Sequence, residues 1–99
     1  MSNLPTKEAF EAQVNTNFKL FIEEDSFDLT LFECKGVISN PIQECFSLMF
    51  LAPNEMPAYQ SLFRVEHSAL GAFDLFLVPI KQDEKGLQLE AVFNNLLHK

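Results

Sequence analysis

Ninety-nine residues with 47% hydrophobic content bound the chain to one folded domain, 1–99, built on one core. A formal net charge of −7 with a single Arg leaves no basic footprint for phosphate backbones or anionic membrane surfaces, which argues against nucleic-acid and membrane partners. Eleven Phe against one Tyr and no Trp favour a core of large side chains that need no hydrogen-bond partner.

The chain opens with MSNLPTKEAFEAQV, a polar stretch that includes acidic residues and does not read as a secretory signal. No segment approaches the roughly 20 apolar residues that span a bilayer. The expectation is a cytoplasmic protein. Thr6 to Val14 is the best helix candidate, with Thr6 as N-cap and Leu4 and Phe10 placed to close a hydrophobic staple. At about two turns it needs tertiary packing to hold it. Its expected role is to plug one end of a sheet.

From Phe18 the apolar period is two. Phe18, Leu20 and Ile22 alternate with Lys19, Phe21 and Glu23. After the acidic turn Glu23-Glu24-Asp25, Phe27, Leu29 and Leu31 alternate with Asp28, Thr30 and Phe32. GVISNPIQ reads as a Gly- and Pro-containing break, and Phe46, Leu48 and Phe50 form the next strand. If Leu31 faces Leu48 and Leu29 faces Phe50, Cys34 stands opposite Cys45. A disulfide is then geometrically conceivable, for roughly 2–3 kcal/mol. The expectation for an intracellular chain is reduced thiols. Two Cys and two His in this spacing match no metal-ligand pattern.

After the loop APNEMP, residues 59–94 read as a three-stranded antiparallel meander. A loop at His67 to Gly71 sets Val65 opposite Phe73, Phe63 opposite Leu75 and Arg64 opposite Asp74. A second loop at Gln82 to Gly86 sets Leu75 opposite Phe93, Leu77 opposite Ala91 and Pro79 opposite Leu89. Phe63, Leu75 and Phe93 then form one inward row across three strands. Arg64 and Asp74 form a surface pair worth about 0–1 kcal/mol.

The other face of the meander carries Leu62, Phe76, Val78, Ile80 and Val92, where a one-sided sheet should be polar. Burial of such side chains is worth roughly 1.5–3 kcal/mol each, so something is expected to cover part of this face. The N-terminal helix or the Met56 loop could do so. The functional alternative is a protein–protein interface, by self-association or by docking of a partner.

Chemistry is sparse. Glu66 and His67 are neighbours in a strand and point to opposite faces, so they do not converge as an acid–base pair. His67 reads as a turn histidine with a local hydrogen bond, and His98 lies in the terminal tail. There is no nucleophile elbow, dinucleotide fingerprint, P-loop or H-E-x-x-H. No catalytic residue, metal site or cofactor is expected.

The segments Phe46-Ser47-Leu48-Met49-Phe50, Phe63-Arg64-Val65-Glu66-His67 with Leu70-Gly71, Leu75-Phe76-Leu77-Val78-Pro79-Ile80 and Glu90-Ala91-Val92-Phe93-Asn94 resemble a family of small bacterial domains of unknown function. Its members look like FSL-x-F, Y-x-LEHP-x-LG, LFLVP and YEAVFN, with an N-terminal Phe pair spaced like Phe10 and Phe18. This chain has Ser68 where the pattern has Pro and Leu89 where it has an aromatic. Neither cysteine belongs to the pattern. The resemblance implies a genetic setting near phage-tail-collar-like proteins. It also implies a structural or assembly role in a tail-like particle, with no catalytic residues to carry over.

The expected fold is mainly β, a small antiparallel barrel or sandwich of about six strands with one short N-terminal helix. The expected function is a non-enzymatic protein-interaction module. A small hydrophobe-binding β-barrel is the alternative, and a hydrolase-type enzyme is third.

Overall fold

A computed structural model describes residues 4–40 and 43–96, with the side chains at 37–39, 43 and 95–96 left aside. The elements are α1 (Lys7–Glu11), β1 (Asn17–Ile22), β2 (Asp25–Ser39), β3 (Gln43–Ala52), β4 (Ser61–His67), β5 (Gly71–Asp83) and β6 (Gly86–Leu96). The six strands close into an antiparallel barrel in the order β1-β2-β3-β6-β5-β4, with β4 returning to β1. Strand alternation decides what lies inside. In β4 every second residue, Phe63, Val65 and His67, is buried, while Leu62, Arg64 and Glu66 are exposed.

The helix starts where the sequence places it. The Thr6 hydroxyl accepts from the Ala9 backbone N–H at 3.2 Å, and Lys7 reaches Glu11 at 2.9 Å. It ends at Glu11, short of the expected Val14. Residues 12–16 tighten into turns bonded three residues back, Gln13 N–H to Phe10 and Thr16 N–H to Gln13. Asn15 adopts φ 74° and donates its N–H to the Leu31 carbonyl of β2. Asn tolerates this left-handed conformation better than most residues, so the chain can turn here into β1.

The β4–β5 register is the one the apolar pattern dictates: Phe63↔Leu75, Arg64↔Asp74 and Val65↔Phe73. Pairing continues to His67↔Gly71, which leaves a three-residue turn in place of a five-residue loop. Between β5 and β6 the expected Pro79↔Leu89 pair forms, but the ladder runs on to Asp83↔Gly86. A register shift between Pro79 and Lys81 takes up the extra residue. The hairpin therefore closes on a two-residue turn, Glu84-Lys85, where the Asp83 carboxylate accepts from the Lys85 N–H at 2.9 Å. That bond, first among its causes, holds the Asp83 carboxyl below the usual carboxylate range.

The inward row needs correction at its third member. The β5–β6 ladder ends at Val78↔Glu90, and Phe93 pairs with Phe46 of β3. Phe63 and Leu75 are buried and Phe93 is half-buried against the same core, so all three still face inward. The physical reason for the parting is the wedge between the strands. The Phe10 ring of α1 lies 5.8 Å from Phe73 on β5 and 5.6 Å from Phe93 on β6, and also touches Phe18 and Phe46. The helix thus plugs the barrel end where β5 and β6 diverge.

The β2–β3 pairing also differs from expectation. GVISNPIQ is largely strand: β2 continues to Ser39 and β3 begins at Gln43, while Pro41 and Ile42 lie outside the described residues. The longer hairpin and two register shifts, at Leu31/Glu33 and Gly36/Ile38, move the pairing to Leu31↔Phe50, Cys34↔Leu48 and Ile38↔Cys45. Cys34 and Cys45 are therefore not opposite each other, and both side chains are thiols. Burial, followed by the Glu11 charge, pushes the Cys34 thiol up. The Cys45 thiol lies 3.2 Å from Asn94 Oδ1, to which it donates. Thiol titration in denaturant is expected to count two thiols per chain without reductant and the same two after reduction. A count that rises only after reduction would show a disulfide.

Candidate interaction face

The exposed faces of β4, β5 and β6 adjoin on one side of the barrel. Leu62 and Phe76 are direct cross-strand partners there, Arg64 and Asp74 form the next row, and Val78 lies opposite Glu90. The Arg64 guanidinium approaches Asp74 at 3.9 Å with both side chains more than half exposed, so the pair is worth about 0–1 kcal/mol. Val92 sits on β6 opposite Ser47 of β3.

The apolar members of this face stay in water. Relative exposure is 61% for Leu62, 51% for Phe76, 48% for Ile80 and 67% for Val92, and Val78 is half-buried. Neither expected cover takes them in. Met56 is fully buried in the core, and α1 spends its Phe10 on the barrel end. Ile80 stands at the register shift of β5, where the extra residue bends the strand. Where β5 and β6 separate, Leu62, Phe76 and Val92 line an open groove of about 250 Å³. Leu4, expected to staple onto Phe10, borders the same groove together with Asp74 and Asn94. Full burial of a Leu, Val or Phe is worth roughly 1.5–3 kcal/mol, and about half of that remains unrealised at each of these positions.

The other candidate positions do not converge into a site. Glu66 points outward and His67 inward, as neighbours on a strand must. The local bond expected for His67 is present, since its Nδ1 accepts from the Ala69 N–H at 3.0 Å. Sequence reasoning missed its second partner, the Thr16 hydroxyl 2.9 Å from Nε2. No spacing rule links residues 51 positions apart, and only barrel closure of β1 on β4 brings them together. Among the described residues no group of three or more His, Cys, Asp or Glu is placed to hold a metal ion. The barrel lumen is filled by Phe10, Phe18, Phe46, Phe50 and the surrounding leucines, with Phe46 and Phe93 stacked at 4.6 Å. No helix among the described residues is long and apolar enough to cross a membrane.

A closed six-stranded antiparallel barrel, plugged at one end by a short helix and apolar on part of its outside, defines the class of this protein. Within that class the chain belongs to the family described as Domain of unknown function (DUF6916), whose model matches residues 5–93. The match runs from just before α1 to Phe93 in β6, so it takes in the plug, most of the barrel and all five residues of the apolar face. No curated protein and no solved structure matches the chain.

Proposed function

We propose that this domain is a non-enzymatic protein-interaction module that docks a partner protein on the outer apolar face of β4, β5 and β6. In this reading it serves as an accessory or assembly component of a phage-tail-like particle. The observation that carries the docking is the exposure of Leu62, Phe76, Ile80 and Val92 on one side of a barrel whose interior is already filled. Contiguous apolar surface of this kind marks interaction sites on small domains. The charged residues among them, Arg64, Asp74, Lys81 and Glu90, supply orientation more than affinity. The particle setting rests on the sequence resemblance in β3 to β6. The net charge of −7 works against a second copy as the partner at low salt, where repulsion between exposed like charges reaches about 30 Å at about 0.01 M ionic strength, against about 8 Å at about 0.15 M.

The test compares the native chain with the triple variant Leu62→Lys, Phe76→Lys, Val92→Lys. All three residues are more than half exposed, so each substitution is expected to cost about 0.5–1.5 kcal/mol, and a cooperative unfolding transition shows that the variant bait is folded. Sedimentation velocity over a concentration series reads self-association. Pull-down from the native host with mass spectrometry reads other partners. Loss of a hot-spot residue costs at least about 2 kcal/mol, roughly 30-fold in affinity, so a partner retained by the native bait should be lost by the variant. Identical protein sets on the two baits, together with a strictly monomeric native chain, would end this reading.

A further inference from the structure

His67 ends β4 where three pieces of chain meet, and the residue is 7% exposed. Nδ1 accepts from the backbone N–H groups of Ala69 at 3.0 Å and Leu70 at 3.3 Å, which holds the β4–β5 turn. Nε2 lies 2.9 Å from the Thr16 hydroxyl in the connection between α1 and β1. That hydroxyl donates its one proton to the Gln13 carbonyl at 2.7 Å. It has only lone pairs left for His67, so Nε2 carries the proton and Nδ1 is bare. The imidazole also packs 4.3 Å from the Phe18 ring, which stacks toward Phe10 of the plug. A second proton would sit on Nδ1 and face two N–H donors, so the charged ring keeps neither turn bond.

We propose that His67 is an acid-released latch that ties the β4–β5 turn to the α1–β1 connection, and that its protonation loosens this end of the barrel. Burial holds the imidazole below its ordinary value of 6.5, in agreement with the bonding pattern. The charged groups around it are Lys19 of β1, Asp28 of β2 and Glu66 of β4, all exposed on the open side of the ring. The turn residues 68–70 and the connection 12–16 carry no titratable side chain. Because the folded value is depressed, the stability His67 contributes is present above about pH 6.5 and is lost as pH falls through the folded value. The Asn15 and Thr16 backbone bonds to Leu31 do not titrate, so the release is local: the turn with its half-buried Leu70, and the Thr16 tie. This site is separate from the outer apolar face, and neither reading depends on the other.

The experiment uses the full chain and nitrogen-15 NMR. At pH 7.5 the His67 ring is expected as the Nε2–H tautomer, titrating below 6.5. Hydrogen-exchange protection factors, which remove the intrinsic pH dependence, are then compared at pH 7.5 and 5.0 for the Ala69 and Leu70 amides. In the native chain they should be several-fold lower at pH 5.0 than at pH 7.5, because protonation removes the acceptor that both amides use. In His67→Asn, which keeps an acceptor and cannot titrate, they should be equal at the two pH values. An Nδ1–H tautomer, an apparent value of 6.5 or above, flat protection in the native chain, or the same fall in the variant would each overturn the latch. The tautomer and titration decide the matter even where the variant fails to fold.

Discussion

Replacing Phe10 with Ala is expected to lower the unfolding free energy by about 3–5 kcal/mol, the range for deleting a buried Phe. For a domain of this size that is a fall in Tm on the order of 15–30 °C. The reason is specific to this barrel. Phe10 is fully buried and its ring lies against Phe18, Phe46, Phe73 and Phe93, so it bridges the two strands that part company above Val78↔Glu90. A five-residue helix has no stability of its own in water. Without the ring, α1 should detach, and amides 8–11 should exchange without protection while those of β2 and β3 stay protected. Phe10→Leu should recover part of the loss. Phe32→Ala, at a ring 36% exposed on the outside of β2, should cost far less. Chemical denaturation of the three variants makes the comparison. A Phe10→Ala cost below about 1.5 kcal/mol would mean that β5 and β6 close over the gap unaided, and that the helix is an ornament rather than a plug.

The parts of this fold legible in the sequence are those governed by alternation alone. Six strands, a short capped helix and the Phe63↔Leu75, Arg64↔Asp74 register all follow from which side of each strand is apolar. A one-residue slip would turn every one of those side chains over, so the pattern allows one answer. Two things escaped it. One is where a strand carries an extra residue. Shifts at Leu31/Glu33, Gly36/Ile38 and Pro79/Lys81 change who faces whom and separate Cys34 from Cys45, and the first of them reverses the alternation so that Cys34, not Glu33, packs on the core. The other is contact between distant segments. Barrel closure sets Thr16 against His67, and the wedge places Phe10 between Phe73 and Phe93, and neither leaves a local trace in composition or spacing.

The apolar outer face lies between these cases. Leu62, Phe76, Val78, Ile80 and Val92 could be placed on it by alternation, but whether the chain itself covers them depends on where α1 and Met56 go. Both go inside. The barrel end needs a large ring where two strands diverge, and Phe10 meets that need from a helix too short to reach across the outside as well. The exposure of the face and the plugging of the end are thus two consequences of one parting of β5 from β6.

Replacing Gly86 with Ala should be the most damaging single-methyl change in the chain. Gly86 opens β6 after the two-residue turn, with φ at +143°, a conformation costing a residue with a side chain about 1–3 kcal/mol. A Cβ built there would lie 2.5 Å from the Ala52 carbonyl oxygen and 3.0 Å from Leu51 Cδ1. The Leu51 side chain can move, but the carbonyl belongs to β3, which is tied to β6 through Ala52↔Leu87, so relief requires shifting the ladder. Overpacking of this kind adds about 1–3 kcal/mol. Gly71 is the control. It also has a positive φ, +88°, but a Cβ there meets nothing within 4 Å. Gly71→Ala should therefore show the backbone cost alone, about 1–2 kcal/mol. Denaturation midpoints for the two variants separate crowding from conformation. Gly86→Ala is expected to be the worse of the two, with the excess falling on the β3–β6 pairing and readable as lost amide protection at Leu87 and Ala52. Equal midpoints would show that the hairpin end shifts freely, so that backbone conformation alone makes glycine necessary at 86.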